Sequence, residues 1–278
     1  MGPSLVMWQI RHMHSTREPR VSVVVTNYNH AAYVQAAVGS ALGQTTPPLE
    51  VLVIDDGSTD DSRERLAQFT TDSRVRLRFQ ANQGIVASRN RGLREAQGDW
   101  VVFLDSDDEL LPTFIERTYG AWSQRADARV AVVYTNARVV GAAEGVLRAR
   151  SFNHRALALG NYIYNCCLLR RDAALATGGY DPAFQRSHED WDLFLRIVEA
   201  GSRGLHVPES LFLYRRHEAA SRNINSAQEY AAVVALMIER HPATYSSWLN
   251  RRLVQRRIPG LALLLWVRRQ FRPRLPQP

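Results

Sequence analysis

Asp105 and Asp107 lie one residue apart in Leu104-Asp105-Ser106-Asp107-Asp108, directly after the apolar run Trp100-Val101-Val102-Phe103-Leu104. In extended backbone, side chains two positions apart point to the same side, so both carboxylates can face one ligand. Hard oxygen donors of this kind suit Mg2+ or Mn2+ bridging a diphosphate. The competing reading is an acidic turn capping the helix that starts near Pro112. A second acidic pair, Asp55-Asp56-Gly57-Ser58, follows the run Val51-Leu52-Val53-Ile54. There a carboxylate can accept the imide N–H of a uracil or thymine ring, or a ribose hydroxyl. Asp56 is the choice for the base, although nothing in the sequence excludes Asp55, and plain turn chemistry around Gly57 is the alternative. In Asn82-Gln83-Gly84-Ile85-Val86-Ala87-Ser88-Arg89-Asn90, Gly84 lets backbone approach a ligand at a helix start. Arg89, a turn and a half further on, can offer its fork of donors to a base or phosphate, or simply face solvent.

These residues need a scaffold that brings them together, and the flanking pattern supplies one. Strands are expected at 21–25, 51–54, 75–79 and 100–104, with helices at 31–42, 60–69 and 84–96 between them. Such alternation implies right-handed βαβ units and an α/β fold with a mainly parallel, Rossmann-like sheet covered on both faces. Ligands bind such sheets outside the carboxyl ends of the strands. That edge gathers Thr26 and Tyr28 after the first strand, Asp55 and Asp56 after the second, Asn82 and Gly84 after the third, and Asp105, Ser106 and Asp107 after the fourth. Further on, strands are expected at 130–134, 138–140 and 211–214. A long covering loop is expected at 141–160, an acidic helix start at His188-Glu189-Asp190-Trp191-Asp192, and helices at 227–240 and 245–257.

Taken in order, 21–29, Asp55-Asp56-Gly57-Ser58, Asn82-Gln83-Gly84 with Arg89-Asn90, Leu104-Asp105-Ser106-Asp107-Asp108, and Gly179-Tyr180-Asp181 with Glu189-Asp190-Trp191-Asp192 resemble glycosyltransferase family 2. The resemblance runs from Val21 to His217. It implies the GT-A fold, an inverting reaction, a nucleotide-sugar donor (usually a UDP- or dTDP-sugar) and a divalent metal, Mn2+ or Mg2+, held at Asp107. It also implies a catalytic base at Asp190, beside Glu189, where the bland reading is acid complementing a helix dipole. An acceptor hydroxyl loses its proton as it attacks the anomeric carbon, and one carboxylate within reach can take it. His217 is a loose match for a late metal ligand, and Arg215-Arg216 for diphosphate contacts. His188 is expected to orient Asp190 or touch the acceptor; Trp191, Phe194 and Leu195 are expected in the core. The expected organisation is a lead-in at 1–20, a GT-A domain at 21–222 (donor half 21–110, acceptor half 111–222) and a helical, Arg-rich tail at 223–278.

Composition narrows the function further. At 45% hydrophobic and 22% charged over 278 residues, the chain is neither disordered nor a repeat array. All 35 basic residues are arginine, and eight of them follow Asn250, where no Asp or Glu occurs. The first 250 residues balance at 27 basic against 27 acidic, so no uniform nucleic-acid-binding surface is expected. Adjacent Cys166 and Cys167 preclude a long-range disulfide and fit a reducing compartment. The longest apolar run, 258–267, is interrupted by Pro259 and Gly260 and falls short of a membrane span. A cytoplasmic protein is expected, with peripheral contact to the inner face of the membrane through the tail near a lipid-linked or glycan acceptor. No Gln-x-x-Arg-Trp sequence occurs, which points to transfer of single sugars in polysaccharide synthesis. A non-catalytic nucleotide- or glycan-binding relative and a sugar-nucleotide pyrophosphorylase are the alternatives. The second is disfavoured because the chain has no Lys and Thr26-Asn27-Tyr28-Asn29-His30 stands where a glycine-rich phosphate loop belongs. Oligomeric state is left open.

Overall fold

Runs of β-branched residues too apolar for a surface strand must be covered on both faces, and β1 (Val21–Asn27) is buried at every residue. A computed structural model of the protein describes residues 19–218 and 227–245. Its first half alternates β1, α1 (Val34–Leu42), β2 (Glu50–Asp55), α2 (Ser62–Ala67), β3 (Val75–Phe79), α3 (Ile85–Glu95) and β4 (Trp100–Asp105). These four strands pair in parallel in the order β3-β2-β1-β4. Period-two alternation sends Val24, Leu52, Ile54, Val101 and Phe103 into one core, and Val23, Val25, Val51, Val53, Val102 and Leu104 into the other. α3 covers the first through Val86 and Leu93, while α1 covers the second through Val34, Ala37, Val38 and Ala41.

The second half continues with β5 (Glu109–Leu110), α4 (Phe114–Arg125), β6 (Val130–Gly141), β7 (Gly145–Leu147), α5 (His154–Leu159), β8 (Leu168–Arg170) and α6 (Arg171–Ala176). α7 (Glu189–Glu199), β9 (Arg203–Arg216), α8 (Ala227–Arg240) and α9 (Pro242–Tyr245) complete the described chain. The sheet extends as β4-β8-β6-β9-β5, antiparallel except for β6 with β9, and β7 pairs with β6.

Four expectations change here. The strands at 130–134 and 138–140 are one strand, because Thr135 and Asn136 are buried and the ladder to β9 continues across irregularities on either side of Asn136. The covering loop at 141–160 holds β7 and α5; Asn153 caps α5 by accepting from the Ala156 N–H. The strand at 211–214 begins at Arg203, despite Pro208 and Glu209. The first helix starts at Val34, since residues 31–33 form a turn. The helix at 245–257, the lead-in up to residue 18 and the Arg-rich tail lie outside the described residues. Among those described, no helix is long and apolar enough to cross a membrane.

Helix α3 carries Arg89 and is seated directly on β1. Gly92 is the point of closest approach, where an added Cβ would overlap Val24. Gly92→Ala should therefore cost about 1–3 kcal/mol by overpacking. Urea unfolding with an unchanged midpoint would show that α3 has room to spare.

Candidate active site

The parallel register lays the strand ends level. Asn27 pairs with Asp55, and Thr26 with Asp105. Side chains then tie the ends together: Asn27 Nδ2 donates to Asp55 Oδ2 at 2.7 Å, and Thr26 Oγ1 to Asp105 Oδ1 at 3.2 Å. Asp55 is buried, and it also accepts from the Ser58 N–H and hydroxyl. Asp56 is buried as well. It accepts from Gln80 Nε2 at 2.7 Å and from the backbone N–H groups of Gln83 and Gly84 at 3.0 and 2.7 Å. This carboxylate therefore fixes the loop that leads into α3. Gly84 stands at φ 86°, where a Cβ would lie 2.5 Å from Gln185 Nε2. Tyr28, 46% exposed, and Asn82 project outward from this rim.

Arg89 lies beneath the rim at 3% exposure. Its Nη2 donates to Asp105 Oδ1 at 2.8 Å and Oδ2 at 3.2 Å, and its Nη1 donates to Glu189. With its amide oxygen turned inward, Asn165 accepts from Arg89 Nε and Nη2 at 3.3 and 3.2 Å and donates to the Tyr180 hydroxyl at 2.9 Å. The Tyr180 ring lies under the guanidinium, 5.7 Å from centroid to Cζ. Burial alone would favour a neutral group, but Asp105 and Glu189 raise the Arg89 pKa still further. Arg89, Asp105 and Glu189, each expected to touch a substrate, thus form a bridge from the end of β4 to the start of α7. Arg89 shares the apolar face of α3 with Val86 and Leu93. That spacing is the sequence signal for its burial.

Asp105 and Asp107 do not share one side of an extended strand. β4 ends at Asp105, and the Asp108 N–H closes a turn onto the Asp105 carbonyl at 3.0 Å. Asp105 turns inward to Arg89, whereas Asp107 Oδ2 meets His217 Nε2 at 2.8 Å. Ser106 is buried, its hydroxyl 3.1 Å from His30 Nδ1. Arg215 donates to the Asp107 carbonyl and to Glu109, both at 3.0 Å, and lies 4.9 Å from the Tyr33 ring. Tyr33 in turn packs edge-on against His217 at 5.4 Å, and His30 lies 6.0 Å from it. Asp108 accepts from the Arg215 N–H at 2.8 Å. Burial, then Asp107 and Asp105, push its carboxyl well above the usual range. Sequence reasoning misses His30, Tyr33, Asp108, Asn165 and Tyr180 as site residues; single polar or aromatic residues have no local spacing that marks them.

The Asp107–His217 pair bears on the divalent cation that the resemblance implies. Adjacent donors of an octahedral ion at about 2.1 Å stand about 3 Å apart, close to the 2.8 Å seen here. One carboxylate oxygen and one imidazole nitrogen suit Mn2+ or Mg2+. Among the described residues no three His, Cys, Asp or Glu side chains converge on one point. The chain thus fits such an ion with two donors, leaving the other positions to ligand oxygens and water.

Asp190 occupies the first turn of α7 and keeps some accessible surface. Its Oδ1 accepts from the Trp191 N–H at 2.7 Å. Burial first, and Glu189 second, push its carboxyl up to about 7 against the opposing pull of Arg89. His188 precedes the helix at φ 65°, a left-handed conformation unusual for a residue with a side chain. Its ring packs between Trp191 and Tyr230, at 5.7 and 5.8 Å. Trp191, Phe194 and Leu195 are buried, and the indole donates to the Leu157 carbonyl at 2.7 Å. Further along α7, buried His241 places its ring nitrogens 3.1 Å from Asp192 and 2.9 Å from Glu199. Burial works against the charged imidazole, but the two carboxylates outweigh it and raise its pKa.

Comparison with known proteins agrees with this geometry. The family model for glycosyl transferase family 2 matches residues 22–175, more than half of the chain. The hyaluronan synthase of Pasteurella multocida is 32% identical over 198 residues, 69% of this chain and 20% of that protein. The chain thus spans about a fifth of that relative's length. Bacillus subtilis TuaG is 29% identical over 235 residues, covering 83% of this chain and 93% of TuaG. In fold, the chain matches Staphylococcus aureus TarS 1–349 in complex with UDP-GlcNAc at a TM-score of 0.70 and 19% identity, over 90% of this chain and 77% of that one. The mannosyltransferase PcManGT from Pyrobaculum calidifontis, in complex with GDP-Man and Mn2+, matches at 0.63 and 20% identity, over 98% and 84%. The fold is GT-A.

Asp56 offers a test of how the rim is built. Asp56→Ala leaves the Gln83 and Gly84 N–H groups and the Gln80 amide without their acceptor, and should lower stability by about 1–3 kcal/mol. A thermal midpoint equal to wild type would mean that the loop holds itself.

Proposed function

The chain belongs to glycosyl transferase family 2 and is a glycosyltransferase, and on that premise we propose that it is inverting and metal-dependent. It moves one sugar from a UDP- or dTDP-sugar to a hydroxyl of a glycan or lipid-linked acceptor, in cell-surface polysaccharide synthesis. The observation that carries this reading is Asp190, a carboxyl poised at about 7 and joined through Glu189, Arg89 and Asp105 to the strand end that bears Asp107. The polysaccharide named in the P. multocida relative supports a glycan product, and the UDP-GlcNAc bound to TarS supports a uridine donor.

In this mechanism the acceptor oxygen attacks the anomeric carbon as the bond from that carbon to the diphosphate oxygen breaks, so configuration inverts. Asp190 accepts the hydroxyl proton, and a base with a pKa near the working pH does this best. The Trp191 N–H bond fixes one Asp190 oxygen, leaving the other to face the acceptor. Asp107 and His217 would hold the divalent ion, which when bound neutralises charge on the leaving diphosphate. Arg215, Tyr33 and His30 line that end and would orient the diphosphate. Tyr28 and Asn82 project where a nucleotide base would lie, while Asp55 and Asp56 hold the loops on which they stand. The tail's arginines support a peripheral position on an anionic membrane from the cytoplasmic side. A thermal-shift screen of nucleotide-sugars with Mn2+ identifies the donor.

Asp190→Asn should lower turnover by about 10²–10⁴ while nucleotide binding stays near wild type. Because only the deprotonated carboxylate accepts a proton, wild-type kcat/KM should fall as pH drops below about 7. A profile flat down to pH 5 would place the base elsewhere. Asp107→Ala and His217→Ala should each abolish the Mn2+ dependence of UDP binding in calorimetry. Unchanged affinity would remove that pair from the metal site.

A further inference from the structure

Arg89 is sealed from solvent, so it is badly placed to meet a nucleotide. Its terminal nitrogens are committed to Asp105 on β4 and Glu189 on α7. Asn165 and the Tyr180 ring close the remaining sides. Beyond the assignment of Asp190 as base, and resting on it, we infer that Arg89 and Glu189 are positioning residues that hold the base helix against the strand end carrying Asp107 and set the state in which Asp190 waits.

The geometry makes Arg89 the one charge shared by both ends of the reaction. Asp105 is two residues from Asp107, and Glu189 is adjacent to Asp190. A planar fork fixes two partners in distance and direction at once, which a lysine, as a point charge, does not. The groups facing Asp190 are Glu189 on its own helix, Arg89 on α3, Asp105 on β4, Cys167 on the segment before β8, and the Tyr180 hydroxyl. Of these only Arg89 carries positive charge. Its removal makes the carboxylate harder to form, and removal of the Glu189 charge makes it easier. A role limited to packing would not give opposite signs.

The test titrates the Asp190 carboxyl by carbon NMR in the wild type, Arg89→Met and Glu189→Gln, each confirmed folded by circular dichroism. Its pKa should rise by about one unit or more in Arg89→Met and fall by a similar amount in Glu189→Gln. UDP affinity with Mn2+, measured by calorimetry, should stay within about twofold of wild type in both variants. Arg89→Lys should restore the sign of the shift but only part of the turnover. A tenfold loss of UDP affinity in Arg89→Met would make Arg89 a donor contact and overturn the inference, as would pKa shifts of the same sign. If Arg89→Met does not fold, an unchanged Asp190 pKa in Glu189→Gln overturns it alone. Failure of the proposed transfer reaction is read separately, as a wild type that transfers no sugar from any donor in the screen.

Discussion

A guanidinium removed from water costs several kcal/mol unless acceptors surround it, and losing one partner of such a buried ion pair typically costs about 3–5 kcal/mol. Arg89 meets this demand with two carboxylates, Asp105 and Glu189, drawn from elements far apart in sequence. Helix α3, the end of β4 and the start of α7 are therefore not free to settle independently. Any arrangement that separates them exposes an uncompensated buried charge. The site inherits its shape from this one requirement, with the rim above the bridge and the proton acceptor beside it.

The parallel ladder makes the bridge reachable. Equal register among β1, β2 and β4 brings Asn27, Asp55, Thr26 and Asp105 to one level, and side-chain hydrogen bonds lock that level. Much of the polar chemistry at this edge is inward. Asp55 and Asp56 spend their oxygens on loops, so the surfaces left for a ligand belong to residues such as Tyr28, Asn82, Asp107 and His217. Acidic residues at a strand end thus do two jobs, some building the rim and some facing outward from it.

The first half of the fold was legible because buried parallel strands leave unbroken β-branched runs and the helices between them keep a 3.6-residue period. The second half was not, because its long strands carry polar interruptions. Asn136 is buried within β6 yet reads as a turn, and Pro208 and Glu209 interrupt β9 without ending it. The position of the site could be read from the polar residues at the carboxyl end of each strand. Orientation could not: a one-residue difference in where β4 ends decides whether Asp105 and Asp107 act together. Arg89 read as a reaching arginine, although its place between Val86 and Leu93 on α3 already pointed to the core. Asn165 and Tyr180 come to Arg89 only through tertiary structure, so no local pattern announces them.

The far end of α7 is held by the opposite logic. His241 is buried between Asp192 and Glu199, and both carboxylates favour its charged form. A histidine whose folded pKa is raised adds stability that is complete at low pH and fades as pH climbs through that raised value. The brace between α7 and the C-terminal helices is therefore firmest on the acid side. Asp190, at the other end of the same 11-residue helix, becomes competent only as its proton leaves. One helix thus carries two opposed titrations: acidity silences its working end, and alkalinity loosens its anchor.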